Sequence, residues 1–361
     1  DKSNNYNNFK YKNNSQNIFK SKKLTKYKTS NYILFENNNL ITSDNKGNII
    51  VFSVNENKVI AKFNFYKKNY KNKKKILNLI IDKNIIYVSD NIGYLYSYDY
   101  RSNKILWAKN YKIPFRSNLK LFEDKLIASN QNNNLYFFNK NSGNILKLIP
   151  TEETIVKNRF INNLSLSDES LLFLNTYGSL YSIDINSMAV KWFTNLNQTL
   201  DLNPSNLFVG NEIINNNKKA IVSTNNSTYI VDIKTGSIEF KKEIPSEVNS
   251  IIHNNYLFLI SKNSFLVAIN VKNGNILYSS DINKKIANFL NIKKKEIKIK
   301  NIILIKNKIF IFLENSYIIK FNIKGEIEKI NKLASKINSQ PIIIDSSILY
   351  LNSKNRLFIF N

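Results

Sequence analysis

The chain has 361 residues, of which 43% are hydrophobic and 12% aromatic, with a formal net charge of +27 and no cysteine. The missing cysteine excludes a disulfide framework, a thiol nucleophile and a cysteine-based metal site. The one histidine, His253, excludes a zinc site built from two histidines of a single chain. No stretch approaches the roughly 18 consecutive apolar residues that indicate a membrane helix.

The positive charge invites a nucleic-acid interpretation, because basic domains often bind phosphate backbones. Almost all of this charge is lysine, however, and specific readout of bases and phosphates relies on the planar arginine fork. The arginines are Arg101, Arg116, Arg159 and Arg356. Abundant Lys, Asn and Ile are what an AT-rich genome supplies. We therefore predict no specific nucleic-acid partner, and we keep attraction to anionic lipid or to an acidic protein surface as a secondary effect.

The N-terminal residues 1–15 are rich in Asn and Lys with isolated aromatics, and we predict a disordered polar tether there. Residues 16–361 are predicted to form a single domain. Because the sequence begins at Asp1 and not at Met, we expect that upstream residues have been removed, either with a signal peptide or by trimming of the chain.

A repeated block organises the rest of the chain, and the stretch from Asn91 to Trp107 shows it best. This stretch reads as a turn, an alternating strand from Tyr94 to Tyr98, a second turn over 99–103 and another strand. Such alternation between turn residues is typical of a half-buried hairpin. The block recurs eight times, and we call the residue that ends its first strand the strand-end position. The strand-end positions are Asn55, Asp99, Asn139, Asp184, Asp232, Asn270, Asn322 and Asn361.

The spacing of the strand-end positions is typical of propeller blades of four strands. Another hairpin precedes each of these positions, so each unit has four strands. The sequence therefore predicts an all-β fold, an eight-bladed β-propeller of four-stranded antiparallel blades. The eighth unit stops at Asn361 after its third strand, which would leave an open sheet edge. We predict that an N-terminal strand over residues 16–21 closes the ring.

Two connections between units differ from the others. The connection at 196–205 carries Leu200 and Leu202 on an otherwise polar loop. These leucines are either an apolar interface anchor with a polar rim or a small satellite core under the loop. The segment from Lys284 to Lys300 is the largest and most basic insertion, and it is predicted to form a short helix or an extended strand on the rim.

No motif in the sequence predicts an active site. His253 lies just before two asparagines and is interpreted as a structural residue near a turn. The segment from Asp44 to Asn48 resembles a calcium loop, but its recurrence at Asp90 indicates hairpin-turn chemistry. Trp107 and Trp192 occupy equivalent outer-strand positions and are predicted to pack between blades. We predict no catalytic residue, no metal ligand and no cofactor, and hence no enzyme.

The repeats resemble a known family. Leu95-Tyr-Ser-Tyr-Asp-Tyr-Arg-Ser-Asn-Lys-Ile-Leu-Trp107 and Tyr181-Ser-Ile-Asp-Ile-Asn-Ser-Met-Ala-Val-Lys-Trp192 are similar to the pyrroloquinoline-quinone-type propeller repeat. One branch of this family comprises quinoprotein dehydrogenases, whose vicinal cysteines and cofactor-stacking tryptophan have no counterpart here. The chain resembles the other branch, the BamB proteins, which are non-enzymatic lipoprotein subunits of the machinery that assembles outer-membrane β-barrels.

The resemblance implies a binding site for the periplasmic domains of the barrel subunit BamA. In the BamB branch a Leu-x-Leu-Arg segment between blades four and five contacts that subunit, and the matching residues here are Leu200, Asp201, Leu202 and Asn203. The two leucines are kept and the arginine is replaced. Aspartates in the next connection of the branch have Glu247 as their counterpart here.

The resemblance further implies a monomer within a complex, located in the periplasm and peripheral to the outer membrane. The lipid-bearing cysteine of the branch would have to precede Asp1. Two other functions stay open from the residues: a quinone-binding propeller dehydrogenase, and a protein-interaction propeller with an unrelated partner.

Overall fold

The computed structural model describes residues 17–66, 70, 72–154, 161–197, 207–224, 226–344 and 347–360. These residues form eight four-stranded antiparallel sheets and one α-helix. The fold is an eight-bladed β-propeller, as predicted. The chain divides into two compact units, one comprising residues 21–209 and the other residues 210–361 with the N-terminal strand.

The first unit contains blades one to four, and each blade runs in chain order from its inner to its outer strand. Its strands are β2 (Leu34–Glu36), β3 (Asn39–Ser43), β4 (Asn48–Ser53), β5 (Lys58–Asn64); β6 (Leu77–Asp82), β7 (Ile85–Asp90), β8 (Tyr94–Asp99), β9 (Lys104–Asn110); β10 (Lys120–Phe122), β11 (Lys125–Ser129), β12 (Leu135–Asn139), β13 (Ile145–Ile149); β14 (Asn163–Ser167), β15 (Ser170–Leu174), β16 (Ser179–Asp184) and β17 (Ala189–Asn195).

The second unit contains blades five to eight and the helix. Its elements are β18 (Ile214–Asn215), β19 (Lys219–Ser223), β20 (Thr228–Asp232), β21 (Ile238–Lys242); β22 (Ile251–His253), β23 (Tyr256–Ile260), β24 (Phe265–Asn270), β25 (Ile276–Asp281); α1 (Ile282–Leu290); β26 (Ile299–Ile305), β27 (Lys308–Leu313), β28 (Tyr317–Asn322), β29 (Ile327–Lys332); β30 (Ile342–Ile344), β31 (Ser347–Leu351) and β32 (Leu357–Phe360).

The eighth blade takes its outer strand from the N-terminus. Strand β1 (Asn17–Lys20) pairs antiparallel with β32, with Phe19 opposite Ile359 and Lys20 opposite Phe358. The sheet order is β1-β32-β31-β30. The prediction of a strand within residues 16–21 is therefore confirmed. Pairing of the first described strand with the last one satisfies the backbone groups that β32 would otherwise expose at a sheet edge.

The third strands of the blades are more buried than the sequence predicts, since the alternating pattern indicates strands with one buried and one exposed face. In β8, Leu95, Tyr96 and Tyr98 are completely buried although they point alternately to opposite faces. The prediction of one exposed face was wrong for this strand, because a neighbouring sheet covers each of its faces. The outer strand β9 does expose most of its side chains.

The hydrophobic core lies between consecutive sheets of each unit. One cluster joins blades one and two through residues such as Val51, Val88 and Tyr96. Another joins blades six and seven through residues such as Phe258 and Ile311. Burying one such side chain contributes about 1.5–3 kcal/mol, so an isolated blade would lose much of its stabilisation.

Asx side chains shape the turns after the third strands. The Asp232 carboxylate accepts hydrogen bonds from the backbone N–H groups of Lys234 and Thr235 at 2.9 and 3.0 Å. The Asn139 side-chain oxygen does the same for the two residues that follow Lys140. Six of the eight predicted strand-end positions are the last residues of their strands, namely Asp99, Asn139, Asp184, Asp232, Asn270 and Asn322, and Asn361 lies outside the described residues. In blade one, the register places Ser53 at the strand end and not Asn55, because Ser53 pairs with Asn39 as Asp99 pairs with Ile85.

The turns between the second and third strands use the same chemistry. Asp44 Oδ1 accepts from the N–H groups of Lys46 and Asn48 at 3.0 and 3.1 Å, and the Asp44 carboxylate also binds the Asn48 side chain. Asp90 Oδ1 accepts from the three N–H groups of residues 92–94, each at 2.8 Å. The interpretation of the Asp44 segment as a hairpin turn is therefore confirmed.

Aromatic residues of outer strands pack on glycines of the next blade. A Cβ at Gly143, where φ is +71°, would lie 2.5 Å from the Trp107 indole, whose Nε1 donates to the Lys140 carbonyl at 2.9 Å. Phe240 packs in the same way on Gly274, and Tyr278 on Gly325. The prediction that Trp107 packs between blades is confirmed. The glycines permit the approach because they lack a Cβ and tolerate positive φ.

Candidate interaction surface

The predicted interface residues Leu200, Asp201, Leu202 and Asn203 lie outside the described residues. Both flanks of their segment are described. The backbone N–H of Leu196 donates to the Gly178 carbonyl at 2.8 Å, and that of Phe208 donates to the Thr176 carbonyl at 2.7 Å. Both described flanks therefore hydrogen bond to a single turn of blade four, between β15 and β16.

Gly178 allows the two flanks to approach this turn. Its φ is +85°, and a Cβ at this position would lie 2.7 Å from the Phe208 ring and 3.1 Å from the Asn197 Cβ. Leu196 beside it is completely buried. The base of the segment is therefore well packed, and sequence analysis missed Gly178 because its turn looked like any other hairpin turn.

Glu247 lies in the connection between blades five and six, and its side chain is exposed. Its backbone N–H donates to the Ile260 carbonyl at the end of β23, at 2.7 Å. The preceding Ser246 is buried and donates its hydroxyl to the Val248 carbonyl at 2.6 Å. Surrounding protein atoms partly desolvate the Glu247 carboxyl and raise its pKa. The connection therefore holds an accessible carboxyl group on a backbone that is hydrogen bonded to β23.

Asn211 and Glu212, which lie between the 198–206 segment and β18, bind this same connection. The Asn211 side chain donates to the Ser246 carbonyl at 3.0 Å. The Glu212 carboxylate accepts from the Asn249 side chain, also at 3.0 Å. Sequence analysis did not single out Asn211 or Glu212. The pairing depends on tertiary contacts 35 and 37 residues apart, which no local pattern reports.

The connection between blades three and four contains a carboxylate that is satisfied internally. Glu152 accepts hydrogen bonds from the side chains of Asn175 and Ser179 at 2.7 Å and from the Tyr181 hydroxyl at 2.6 Å. Burial alone would raise its pKa, but these hydrogen bonds outweigh that effect and lower it. Because both carboxylate oxygens already accept these hydrogen bonds, Glu152 is less available to bind a ligand.

The connection between blades one and two is closed in a related way. Tyr66 and Lys75 are 2% and 3% exposed. The Tyr66 hydroxyl donates to the Asp90 carboxylate, and the Lys75 ammonium donates to the Tyr70 carbonyl. Desolvation raises the pKa of Asp90 and lowers that of Lys75. These polar groups stabilise the connection from within.

Acidic and imidazole groups do not cluster in the part of the chain that the structure describes. Over these residues no group of three or more His, Asp or Glu side chains is arranged to hold a metal ion. His253 ends β22 beside Asn254, which has a φ of +52°, so its predicted position near a turn is confirmed. Desolvation lowers the pKa of His253. None of the helices in the described residues has the length and apolar character needed to cross a membrane.

Eight antiparallel four-stranded blades, with aromatic side chains of outer strands packed on turn glycines, define the class of this protein as an eight-bladed β-propeller. A family model described as outer membrane protein assembly factor BamB matches residues 35–280, about two thirds of the chain. The chain belongs to this family, which confirms the resemblance of its repeats. No curated protein sequence matches the chain.

Solved structures show the same fold. BamB from Moraxella catarrhalis is 14% identical, with a TM-score of 0.73 and coverage of 96% of this chain and 99% of that one. The computationally designed Ika8 protein is 10% identical, with a TM-score of 0.67 and coverage of 96% and 99%. The C-terminal WD40 domain of Sif2 is 11% identical, with a TM-score of 0.66 and coverage of 96% and 97%. At these identities the likeness shows the fold alone.

Proposed function

We propose that this chain is a non-enzymatic scaffold of the machinery that assembles β-barrel proteins in the outer membrane. It acts in the periplasm as a monomer within the complex and docks the periplasmic domains of a BamA-like barrel subunit. The observation that carries the proposal is the match of residues 35–280 to the BamB family. A lipid group upstream of Asp1 would hold the propeller at the membrane.

The proposed docking residues are Leu200, Asp201, Leu202 and Asn203 of the blade 4–5 connection and Glu247 of the blade 5–6 connection. Leu200 and Leu202 supply the apolar centre, while Asp201, Asn203 and Glu247 belong to the polar rim. Two features of the described residues support this site. The segment that carries the leucines has both flanks hydrogen bonded to one turn, and Glu247 is exposed on a backbone that is hydrogen bonded to the Ile260 carbonyl. A fixed base lowers the entropy that a binding loop loses on association.

Co-purification with the periplasmic domains of the barrel subunit tests the site. Combining Leu200→Ala with Leu202→Ala should weaken binding by about 2–4 kcal/mol, because apolar residues at the centre of an interface contribute most of its energy. The matched control combines Ile105→Ala with Leu106→Ala, two exposed residues of β9, and should bind as the wild type does. Unchanged binding of the Leu200/Leu202 variant in a folded protein would remove the site.

Glu247→Gln tests the polar rim. We expect a loss below about 1 kcal/mol in binding and a weaker salt dependence, because an exposed charge at a rim mainly affects association rates. Calorimetric titration at low and high salt measures both. A loss larger than that of the double leucine variant would place the centre of the interface at Glu247.

The non-enzymatic part of the proposal has its own test. Incubation of the protein with pyrroloquinoline quinone and calcium should leave no bound chromophore after desalting. A stoichiometric quinone spectrum would favour the dehydrogenase branch of the repeat family and overturn this part of the proposal.

A further inference from the structure

The connection between blades six and seven exposes an apolar tip. It consists of α1 and the loop over 291–298, and we call Phe289, Leu290 and Ile292 the apolar tip. Their side chains are 48%, 44% and 51% exposed. Three large apolar side chains within four residues form a compact exposed group, and groups of this kind mark interaction sites.

The base of this connection is rigidly attached to the propeller. Ile282 is completely buried and Ala287 is 7% exposed, so one side of α1 packs on the core of blades six and seven. Asp281 caps the helix by accepting from the Lys284 N–H at 2.9 Å. The Lys285 ammonium donates to the Gly325 carbonyl at 2.7 Å. The apolar tip is therefore presented from a fixed support.

The end of α1 keeps Ile292 exposed. Asn291 adopts the left-handed conformation with φ of 49°, and the N–H groups of Asn291 and Ile292 donate to the carbonyls of Asn288 and Ala287. This is the Schellman arrangement, in which an apolar residue at the position of Ile292 commonly folds back on the helix. Here half of that side chain remains in solvent, where it gains nothing from intramolecular packing.

Lysines precede and follow the apolar tip in the chain. Lys293, Lys294 and Lys295 follow Ile292 directly, and their side chains are exposed. Residues 281–300 contain seven lysines and only two carboxylates, Asp281 and Glu296. Lys294 pairs with Asp281 at 2.7 Å, which ties the basic loop to the start of the helix. The positive charge therefore lies beside the apolar side chains and not at a distance from them.

We propose that this connection binds the surface of an anionic lipid bilayer. Phe, Leu and Ile side chains insert at the boundary between headgroups and acyl chains, while lysine stems extend along apolar surface and place their ammonium groups among lipid phosphates. An acidic protein surface would satisfy the lysines but would give three neighbouring apolar side chains less to contact. The binding orients the propeller on a membrane and does not depend on a partner of the blade 4–5 connection.

Co-sedimentation of the full chain with lipid vesicles tests this proposal. Vesicles contain equal parts of phosphatidylglycerol and phosphatidylcholine, or phosphatidylcholine alone. We expect binding to the anionic vesicles that decreases as salt is raised. Replacing the tip by Phe289→Ser, Leu290→Ser and Ile292→Ser should reduce that binding about tenfold or more, and Lys293→Gln with Lys295→Gln should reduce it severalfold.

The matched control combines Ile105→Ser with Leu106→Ser, which removes exposed apolar groups of β9 and should leave vesicle binding unchanged. Circular dichroism confirms that each variant is folded. Equal binding of the tip variant and the wild type would overturn the proposal. So would binding to polyglutamate without binding to vesicles, which would indicate an acidic protein surface. No barrel subunit is present in this assay, so its failure is separate from failure of the proposed scaffold function.

Discussion

Two connections between blades use their side chains in opposite ways. In the blade 3–4 connection, Glu152 receives three side-chain hydrogen bonds from blade four, at 2.6–2.7 Å. In the blade 6–7 connection, Phe289, Leu290 and Ile292 remain about half exposed although α1, which precedes Ile292, packs on the core through Ile282. We call the first connection closed, because its carboxylate is hydrogen bonded to side chains of the same protein. We call the second connection open, because its apolar side chains remain largely in solvent and are not buried against the rest of the protein.

The difference between the two connections indicates which parts of this protein are available to bind a partner. A cluster of polar residues in a sequence can suggest a binding site. A carboxylate that already accepts hydrogen bonds from neighbouring side chains instead stabilises the fold. Exposed apolar side chains on a rigid base do not stabilise the monomer and reduce its solubility. Changes in closed connections should therefore affect stability, whereas changes in open connections should affect binding.

Glu152→Ala is expected to have the largest effect on stability. It leaves the buried polar groups of Asn175, Ser179 and Tyr181 without their shared acceptor, which should lower the free energy of unfolding by about 2–4 kcal/mol. Urea denaturation measures the change. Glu243→Ala, at an exposed glutamate of the blade 5–6 connection, is the control and should stay within about 0.5 kcal/mol. A loss at Glu152 no larger than that of the control would show that this connection is not closed by its carboxylate.

Gly178→Ala should destabilise the protein by about 1–3 kcal/mol, because the turn requires a positive φ and the added methyl group would press on the Phe208 ring. Thermal unfolding gives the comparison with the wild type. Gly178→Asn separates the two causes, since asparagine tolerates the left-handed backbone but brings the same Cβ. If the asparagine variant is as stable as the wild type, the close approach of Phe208 does not limit this turn.

Asp90→Asn should have the smallest effect, with unchanged stability at pH 7 or a gain of up to about 1 kcal/mol. Burial raises the pKa of Asp90 in the folded protein, so its contribution is complete below the unfolded pKa and decreases as pH rises through the folded pKa. An asparagine keeps the Oδ1 acceptor for the N–H groups of residues 92–94 without this pH dependence, and its amide N–H can donate to the Tyr66 hydroxyl, which donates to the carboxylate in the wild type. Asn130 already occupies the equivalent turn of blade three.

Urea denaturation of Asp90→Asn at about pH 4, near the ordinary pKa of an aspartate, and at about pH 8 provides the measurement. The variant should gain stability relative to the wild type at the higher pH. Strong destabilisation of the variant at both pH values would show that the negative charge of Asp90 stabilises the blade 1–2 connection, which would contradict the prediction.

The amino-acid sequence by itself determined the number of blades, their four strands and the N-terminal strand of the last blade. Repeats of about forty residues, with Asx residues at fixed positions, carry this information in local hydrogen bonding, as Asp99 and Asp232 show. Local chemistry also predicted the role of Asp44 in its turn. It failed at Asn55, because the third strand of blade one ends at Ser53, whose hydroxyl oxygen accepts from the Glu56 N–H where the other blades use an Asx side chain.

Only the tertiary structure decided which side chains are buried or hydrogen bonded within the protein and which remain available for binding. The sequence predicts a helix or a strand over Lys284–Lys300, and packing of Ile282 and Ala287 on the core selects a helix, which ends at Leu290. No local pattern shows that Glu152 reaches residues 23 to 29 positions away, or that Asn211 reaches Ser246. Burial and hydrogen bonding between distant segments depend on how sheets face one another. For that reason the architecture could be predicted from repeats, whereas the separation of closed from open connections required the folded chain.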